Sequence, residues 1–594
     1  MKEKQFRFGE RVFTARSEKS LSDIIIDCVS NDGGVRIFRI DMRFCSDTDK
    51  CDAIIFWDEL PAGITGCWTP CGGRGRHIPQ NWYPQRQYST LTDGAPILSL
   101  FNDSAENYRT AAVSESEKPF EISAWLRNDP GHDTLRMQLA PFKNEMPDTD
   151  IFSFYLRIDE RRLPLALCIG EVSRWWRNFY PFDPMPHSVD FAGDRPLFSS
   201  WYACFQNPTQ SVLERELPVI ADLGFKSMII DDGWSYDGNG DGAYTSCGTW
   251  ECAETKFPDM TSFVEKAHSY GIRIALWFPV PFVGQQNPDY ARFADKMLGD
   301  TMGAGVLDPR FPEVRDYIVG NYVNIIKKHD LDGLKLDFLT DFNRPAPENA
   351  VGTDCKTVDE GVSQLLASIE NDVRPLKDDM LIEYRAAYIG PSIVRRCNML
   401  RMCDCAFDFI TNRIGTVDLR MLDYPLAVHS DMLLWGKNET PENIAVMLLN
   451  VMFSVPQISV LTAEMNEEQR RVLKKFLAYW SAHMDTLLHG ALTVYEPQVN
   501  YSLVCAENEN LKIAVLYLPR VFRFDGKSTD IFNAGSETSI YIDSEVCGTA
   551  VCCDIFGRVA ETVAFSGGTV RLPVPRGGKA ELKRNLQFST KARC

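Results

Sequence analysis

Hydrophobic positions follow three rhythms along the chain. Up to about residue 160, short β-branched and aromatic runs alternate with turn clusters. Ser22-Asp-Ile-Ile-Ile-Asp-Cys-Val, Gly34-Val-Arg-Ile-Phe-Arg-Ile-Asp and Ile151-Phe-Ser-Phe-Tyr-Leu-Arg-Ile read as strands, and Asn31-Asp-Gly-Gly as a turn. Residues 164–180 switch to a helical period and read as a bridge. From residue 196, apolar strands alternate with amphipathic helices, the pattern of parallel βα units. Helices are predicted over 212–223, 260–270 and 312–329; Gly224 and Gly271 stop the first two. Strands are predicted over 197–204, 225–231, 272–278, 333–339, 380–384, 399–404, 426–431 and 457–461. About eight such units over roughly 285 residues match a TIM barrel in number and size. After about residue 490 the period returns to that of strands. The expected fold is therefore multi-domain: an N-terminal β-sandwich with its linker helix (1–195), a central (β/α)8 barrel (196–485) and a small C-terminal β-domain (486–594).

Composition narrows the partners. The 594 residues carry 63 Lys and Arg against 81 Asp and Glu, a net charge of −18. That sign repels phosphate backbones and anionic membrane surfaces, so nucleic acid and membrane are not expected partners. No apolar run approaches the roughly 20 residues of a membrane span. Met1-Lys-Glu-Lys-Gln-Phe-Arg-Phe has no apolar stretch behind its charges, so a cytoplasmic location is expected, with a homo-oligomer left open. The 18 cysteines include no CxxC pair, and no histidine sits at a zinc-site interval from one. They read as free thiols, with no metal.

In such a barrel the chemistry gathers at the C-terminal ends of the strands. Asp231, Asp232 and Trp234 end the second strand, Trp277 the third, and Lys335 and Asp337 the fourth. Glu383 and Arg385 end the fifth, Arg401 and Asp404 the sixth, and Asp431 the seventh. Trp201 follows the first. Lys335 and Asp337 are two apart, hence on one face of a strand, and the lysine would hold the carboxylate ionised, as a nucleophile requires. A retaining glycosidase also needs a carboxyl kept protonated. Asp404 is expected to supply it, its pKa raised by Leu400, Met402, Cys403 and Cys405; Asp408 is the rival.

Ile229-Ile-Asp-Asp-Gly-Trp, Lys256-Phe-Pro, Gly271-Ile-Arg-Ile-Ala-Leu-Trp-Phe and Asp332-Gly-Leu-Lys-Leu-Asp together resemble the α-galactosidases of glycoside hydrolase family 36. The resemblance implies a retaining α-glycosidase with Asp337 as nucleophile and Asp404 as acid/base. It implies that Asp231 and Asp232 hold the C4 and C6 hydroxyls of the sugar, that Lys335 contacts the sugar, and that Arg401 touches the C2 hydroxyl. The second half of the barrel departs from the family pattern. Glu383-Tyr-Arg-Ala-Ala-Tyr-Ile-Gly stands where the family usually has Cys-Ser-Ser-Gly-Gly-Gly-Arg, and Cys403-Asp-Cys-Ala-Phe-Asp where it has Ser-Asp-x-Thr-Asp. That departure leaves N-acetylgalactosamine open as the sugar. A raffinose-synthase-like transglycosylase, whose relatives also carry an Asp-Asp-Gly-Trp stretch, and an inactive carbohydrate-binding protein are the alternatives. An oligosaccharide or glycoside is the expected substrate, with no cofactor. Asp237-Gly-Asn-Gly-Asp-Gly imitates a calcium loop without its final Glu and reads as a glycine turn over the pocket. Trp68 and Trp82 are read equally as sugar platforms or loop packing. His429, Ser430 and Asp431 have a hydrolase triad's composition without its order.

Overall fold

The computed structural model describes residues 3–45, 50–131, 133–143, 145, 147, 149–182, 191–237 and 244–585. Eight parallel strands form the centre, in spatial order seven-six-five-four-three-two-one-eight. They are, from first to eighth, Leu197–Ser199, Ser227–Ile230, Arg273–Pro279, Gly333–Asp337, Leu381–Arg385, Met399–Arg401, Ala427–His429 and Gln457–Ile458. Parallel bridges His429–Val455 and Leu433–Ile458 bring the seventh strand to the eighth and close the barrel. Leu334, Leu336, Ile274, Leu276 and Phe278 are buried in one continuous core with the surrounding helices.

The helices start and stop where the side chains demand. Pro312 opens Pro312–His329, where its missing N–H costs nothing, and Asp330 ends it in the left-handed conformation. Thr209, Asp259, Thr440 and Asn466 each accept a backbone N–H in the first turn of the helix they cap. Thr357 and Glu360 form a reciprocal capping box.

Several barrel strands are shorter than their hydrophobic runs suggest. The run over 197–204 is a strand only to Ser199 and then a helical turn, Trp201–Cys204. The Ser200 hydroxyl accepts the Asp231 N–H at 2.8 Å, while the Ser200 N–H goes to Ile229 O at 3.0 Å. The Ser200 side chain thus takes the Asp231 N–H in place of a further main-chain carbonyl, and the pairing stops where the helical turn begins at Trp201. Likewise the sixth strand ends at Arg401, so Asp404 lies in the following loop. An additional three-stranded sheet (Phe282–Gly284, Met297–Thr301, Ala304–Leu307) fills the loop after strand three. Its alternation is weak, and the sequence pattern did not single it out.

Two six-stranded sheets precede the barrel and enclose a separate apolar core that includes Phe13, Phe38, Trp57 and Phe154. Helix Leu165–Trp176 then leads toward the barrel, and the Trp176 indole donates to Val113 O at 2.8 Å. A seven-stranded and a three-stranded sheet follow the barrel around a third core. No disulfide joins the described cysteines. No described helix is long and apolar enough to cross a membrane.

Candidate active site

The fourth strand delivers Lys335 and Asp337 to the same interior face, as their spacing requires. Their partners differ. Lys335 Nζ lies 2.6 Å from Asp231 Oδ2, two strands away, with both side chains buried. Asp337 is paired with Arg385, whose Nε lies 2.5 Å from Oδ1. Tyr388 OH and the Phe338 N–H also donate to Oδ1, at 2.9 and 2.7 Å, and the Trp277 indole donates to Oδ2 at 3.1 Å. Phe338 adopts φ +60°, uncommon for a bulky residue, and its N–H turns back onto the carboxylate. Burial opposes the charge on Asp337, but Arg385, then Lys335 and Arg401, outweigh it and hold the carboxyl well below the usual carboxylate range. Lys335 thus does help to keep the carboxylate charged, as its spacing suggests. Arg385, which sequence reasoning did not pair with Asp337, contributes more, because its ion pair is with Asp337 itself while that of Lys335 is with Asp231.

Asp231 and Asp232 follow the second strand with different surroundings. Asp232 accepts from Gln206 Nε2 at 2.5 Å and Tyr236 OH at 3.1 Å. Burial, with Asp231 adding like charge, pushes its carboxyl up to about 6. Trp234 is fully buried and gives its indole N–H to Trp277 O at 2.9 Å, so it braces the wall from behind. Trp277 packs against Tyr244 and Phe338, and Phe282 joins them. Lys256 Nζ ties Gln206 O to Gly233 O, each at 2.8 Å, fixing the turn after the Asp-Asp doublet.

Arg401, fully buried, organises the far side. Its Nη1 lies 2.5 Å from Asp431 Oδ1 and 2.8 Å from Asp404 Oδ1, and its Nε lies 3.6 Å from Glu383 Oε1. Glu383 also accepts from Gln457 Nε2 at 2.5 Å, and burial raises its pKa. Asp431 accepts the Cys405 N–H at 2.7 Å and Tyr202 OH at 3.1 Å; burial raises it as well. Asp404 behaves otherwise. Half of its side chain is exposed, and although desolvation favours the neutral form, Arg401 and Lys335 win and lower its pKa. Sequence alone suggested the reverse, because Leu400 and Met402 look like its neighbours; both are buried away from solvent, and the charges decide.

Direct contacts thus make three groups, Asp231 with Lys335, Asp337 with Arg385, and Arg401 with Asp404, Glu383 and Asp431, and the charges of Lys335 and Arg401 reach Asp337 and Asp404 across them. Trp201 is half-buried at the mouth, edge-on to Phe205. Asp408 caps helix Phe409–Met421 through the Thr411 N–H. Trp68 is fully buried with its indole on Asp418, whereas Trp82 is 73% exposed. His429 bonds Gly193 O and Gln457, and burial drives its pKa down to about 3. All of the calcium-like stretch after Asp237, residues 238–242, lies outside the described residues. Among the described residues no three metal-type ligands gather as a metal site would. Tyr388, Gln206, Tyr236 and Tyr202 join the site without having been singled out; Tyr388 stands in the very segment that departs from the family pattern. An N-terminal turn also reaches the barrel: Gly94 N–H donates to Ala387 O at 2.7 Å, and Thr92 Oγ1 to Asn343 Oδ1 at 2.9 Å.

Comparison with known proteins agrees with this architecture. Residues 168–365 match the Melibiase family model. An alpha-galactosidase 2 of Pediococcus pentosaceus is 24% identical over 149 residues, 24% of this chain and 20% of that protein. A probable alpha-galactosidase C of Aspergillus flavus is 27% identical over 200 residues, 30% of this chain and 26% of that protein. The matched stretch is therefore about a quarter of those relatives' length or less. Among solved structures, the alpha-galactosidase from Lactobacillus brevis superposes with TM-score 0.64 at 14% identity, covering 98% of this chain and 83% of that one. A GH36 alpha-galactosidase from Geobacillus stearothermophilus in complex with stachyose gives 0.62 at 13% identity, covering 97% and 83%. The chain shares the fold of these solved structures, a barrel between flanking β-domains.

Proposed function

We propose that this chain is a retaining α-glycosidase of the α-galactosidase type, with residues 196–485 as its catalytic domain. The observation that carries the reading is the Asp337 carboxylate, held ionised at the end of the fourth strand by four donors inside an aromatic-walled barrel mouth. Such a group suits attack on an anomeric carbon and is too well paired to act as a proton donor.

In the first displacement an Asp337 oxygen attacks C1 while the C1–oxygen bond breaks, and the departing oxygen takes a proton from Asp404. In the second, Asp404 removes a proton from water, the water oxygen bonds C1, and Asp337 is released. Arg401 and Lys335 favour the ionised form of Asp404. A bound glycoside covers its exposed half and strengthens the desolvation that already favours the neutral form, which is the change a general acid needs. Asp431, although its pKa is raised, is fully buried behind Arg401 and out of reach of a leaving group. Asp231 and Asp232 are assigned to sugar hydroxyls and Trp277 to the wall beside them. Galactose is the preferred sugar on the strength of the Asp-Asp doublet, and the altered fifth strand makes N-acetylgalactosamine the competitor.

A panel of aryl α-glycosides differing only in the sugar tests the reading. We expect turnover of the galactoside above the glucoside and xyloside, with initial release of the α-anomer. Asp337→Ala should lower turnover by about 10⁴-fold or more, and azide should restore part of it as a β-glycosyl azide. A variant retaining near-wild-type activity would remove Asp337 from the role. Products formed on added sugar rather than water would identify a transglycosylase, and a protein that binds but turns over nothing a lectin-like one.

A further inference from the structure

We infer that Arg385 is a positioning residue that holds the Asp337 carboxylate for attack through Oδ2 and ties it to the loop carrying Asp404. The inference rests on the reading of Asp337 as nucleophile. Its first support is the uneven distribution of donors. Oδ1 receives Arg385 Nε, Tyr388 OH and the Phe338 N–H, while Oδ2 receives the Trp277 indole. A carboxylate oxygen offers about two lone-pair directions, so Oδ1 is fully engaged and Oδ2 keeps one free.

The second support is the reach of the guanidinium. Arg385 Nη1 lies 3.4 Å from Cys403 Sγ and 3.3 Å from Ala386 O. Cys403 directly precedes Asp404. One planar fork therefore spans the nucleophile and the loop of the proposed acid, a geometry that a lysine's single ammonium does not reproduce.

The third support is the commitment of the other charges. Lys335, Arg385 and Arg401 face Asp337, as do Asp404, Tyr388 and Tyr244. Lys335 is paired with Asp231, and Arg401 with Asp404 and Asp431. Arg385 is the cation whose ion pair is with Asp337 itself, at 18% side-chain exposure against 11% for the aspartate. Asp93, on the N-terminal turn, also faces Arg385; burial raises its pKa, and the Gly94 N–H and the Arg385 charge offset that only in part. Burial makes the clamp effective, because little water is present to screen it.

The test compares Arg385→Ala and Arg385→Lys with wild type on an aryl α-glycoside, with circular dichroism confirming the fold. For Arg385→Ala we expect kcat to fall by about 100-fold with KM moving less than about threefold, as lost orientation predicts. The acidic limb of its kcat/KM profile should rise by about one pH unit or more, because the carboxylate loses its main cation. Guanidine at tens of millimolar should return about tenfold of the lost kcat to Arg385→Ala and none to wild type, as a rescue that refills the vacated fork. Arg385→Lys should keep the limb near its wild-type position while recovering only a fraction of the rate. A raised KM with unchanged kcat would overturn the clamp in favour of a sugar contact, as would an unmoved limb with no rescue. Should wild type turn over none of the panel, the glycosidase reading fails, and the clamp is still decided by thermal unfolding at neutral pH. Asp337→Asn and Arg385→Ala should then be non-additive, and additive losses would overturn it.

Discussion

Asp337 ends a barrel strand with four donors on its carboxylate, whereas Asp404 lies three residues past its strand, half in solvent, with one guanidinium as its hydrogen-bonded partner. The contrast suits two different tasks. A nucleophile must stay ionised and fixed, which favours burial among cations. A group that both gives and takes a proton must change state within each turnover, which favours a place whose solvation changes when substrate arrives. Position in the fold enforces the difference. Asp337 inherits the rigidity of a strand paired on both sides, and Asp404 inherits only what its loop's anchors provide.

After the loss of Asp337 itself, the largest expected effect breaks the comparison at Asp404. Asp404→Ala should slow hydrolysis of a natural disaccharide by about 10³-fold, since sugar alkoxides leave poorly without a proton. Substrates with an acidic phenol should be spared in the glycosylation step and accumulate glycosyl-enzyme, because the same residue then serves as base. The basic limb of the pH profile should disappear. Pre-steady-state kinetics on the two substrate types reads this directly, and equal losses on both would return Asp404 to a binding role.

How Asp404 is anchored was hardly visible in the sequence. The motifs around strands two to four could be read because each carries its chemistry within a few residues, as in the doublet Asp231-Asp232 and the pair Lys335 and Asp337. Which cation serves which carboxylate depends on neighbours across the barrel. Lys335 is in register with Trp277 and Glu383, yet its ammonium crosses to Asp231. The N-terminal loop was equally opaque. Trp68 is a strut: its indole and the Cys71 N–H donate to Asp418, at 3.1 and 2.9 Å, and Arg76 pairs with the same carboxylate. Tyr501, from beyond the barrel, gives its hydroxyl to Asp418 at 2.6 Å. One buried aspartate thus joins three parts of the chain, a convergence with no local sequence signal.

The second prediction uses that knot. Asp418→Ala leaves Arg76 buried without its carboxylate, with only the Tyr501 hydroxyl still beside it, and should cost about 3–5 kcal/mol of stability, the range for a broken buried ion pair. Because Asp418 lies on the helix that follows the Asp404 loop, activity should fall along with the melting temperature. A melting temperature within a degree or two of wild type would show the knot to be dispensable.

A third expectation concerns pH. The Asp337 carboxyl is lower in the folded state than in the unfolded chain. Its contribution to stability is therefore fully present above about pH 4 and lost as pH falls toward the folded value. Asp337→Asn removes that titration. Its unfolding free energy should decline less steeply than that of wild type on acidification below about pH 4, as read from denaturant midpoints. Equal slopes would mean that Asp337 has the same pKa folded and unfolded.

The smallest expected effect separates Asp404 from Asp408. Asp408 accepts the Thr411 N–H at 3.0 Å and the Thr411 hydroxyl at 2.7 Å, and Arg74 of the N-terminal loop lies 2.5 Å from it. It is a helix cap with a surface ion pair. Asp408→Ala should cost about 1 kcal/mol for the cap, and the exposed pair should add little. Since Asp408 makes no contact with Asp337 or Arg401, the loss should act only by loosening the loop between Arg401 and Phe409. Turnover should then fall by the same small factor, about two- to fivefold, for phenolic and sugar leaving groups alike. Asp408→Asn, which keeps a capping oxygen, should recover most of it. If Asp408→Ala instead showed the strong leaving-group dependence expected of Asp404, the proton would have to come from the cap, and Asp404 would be left as a carboxylate that only helps to hold Arg401.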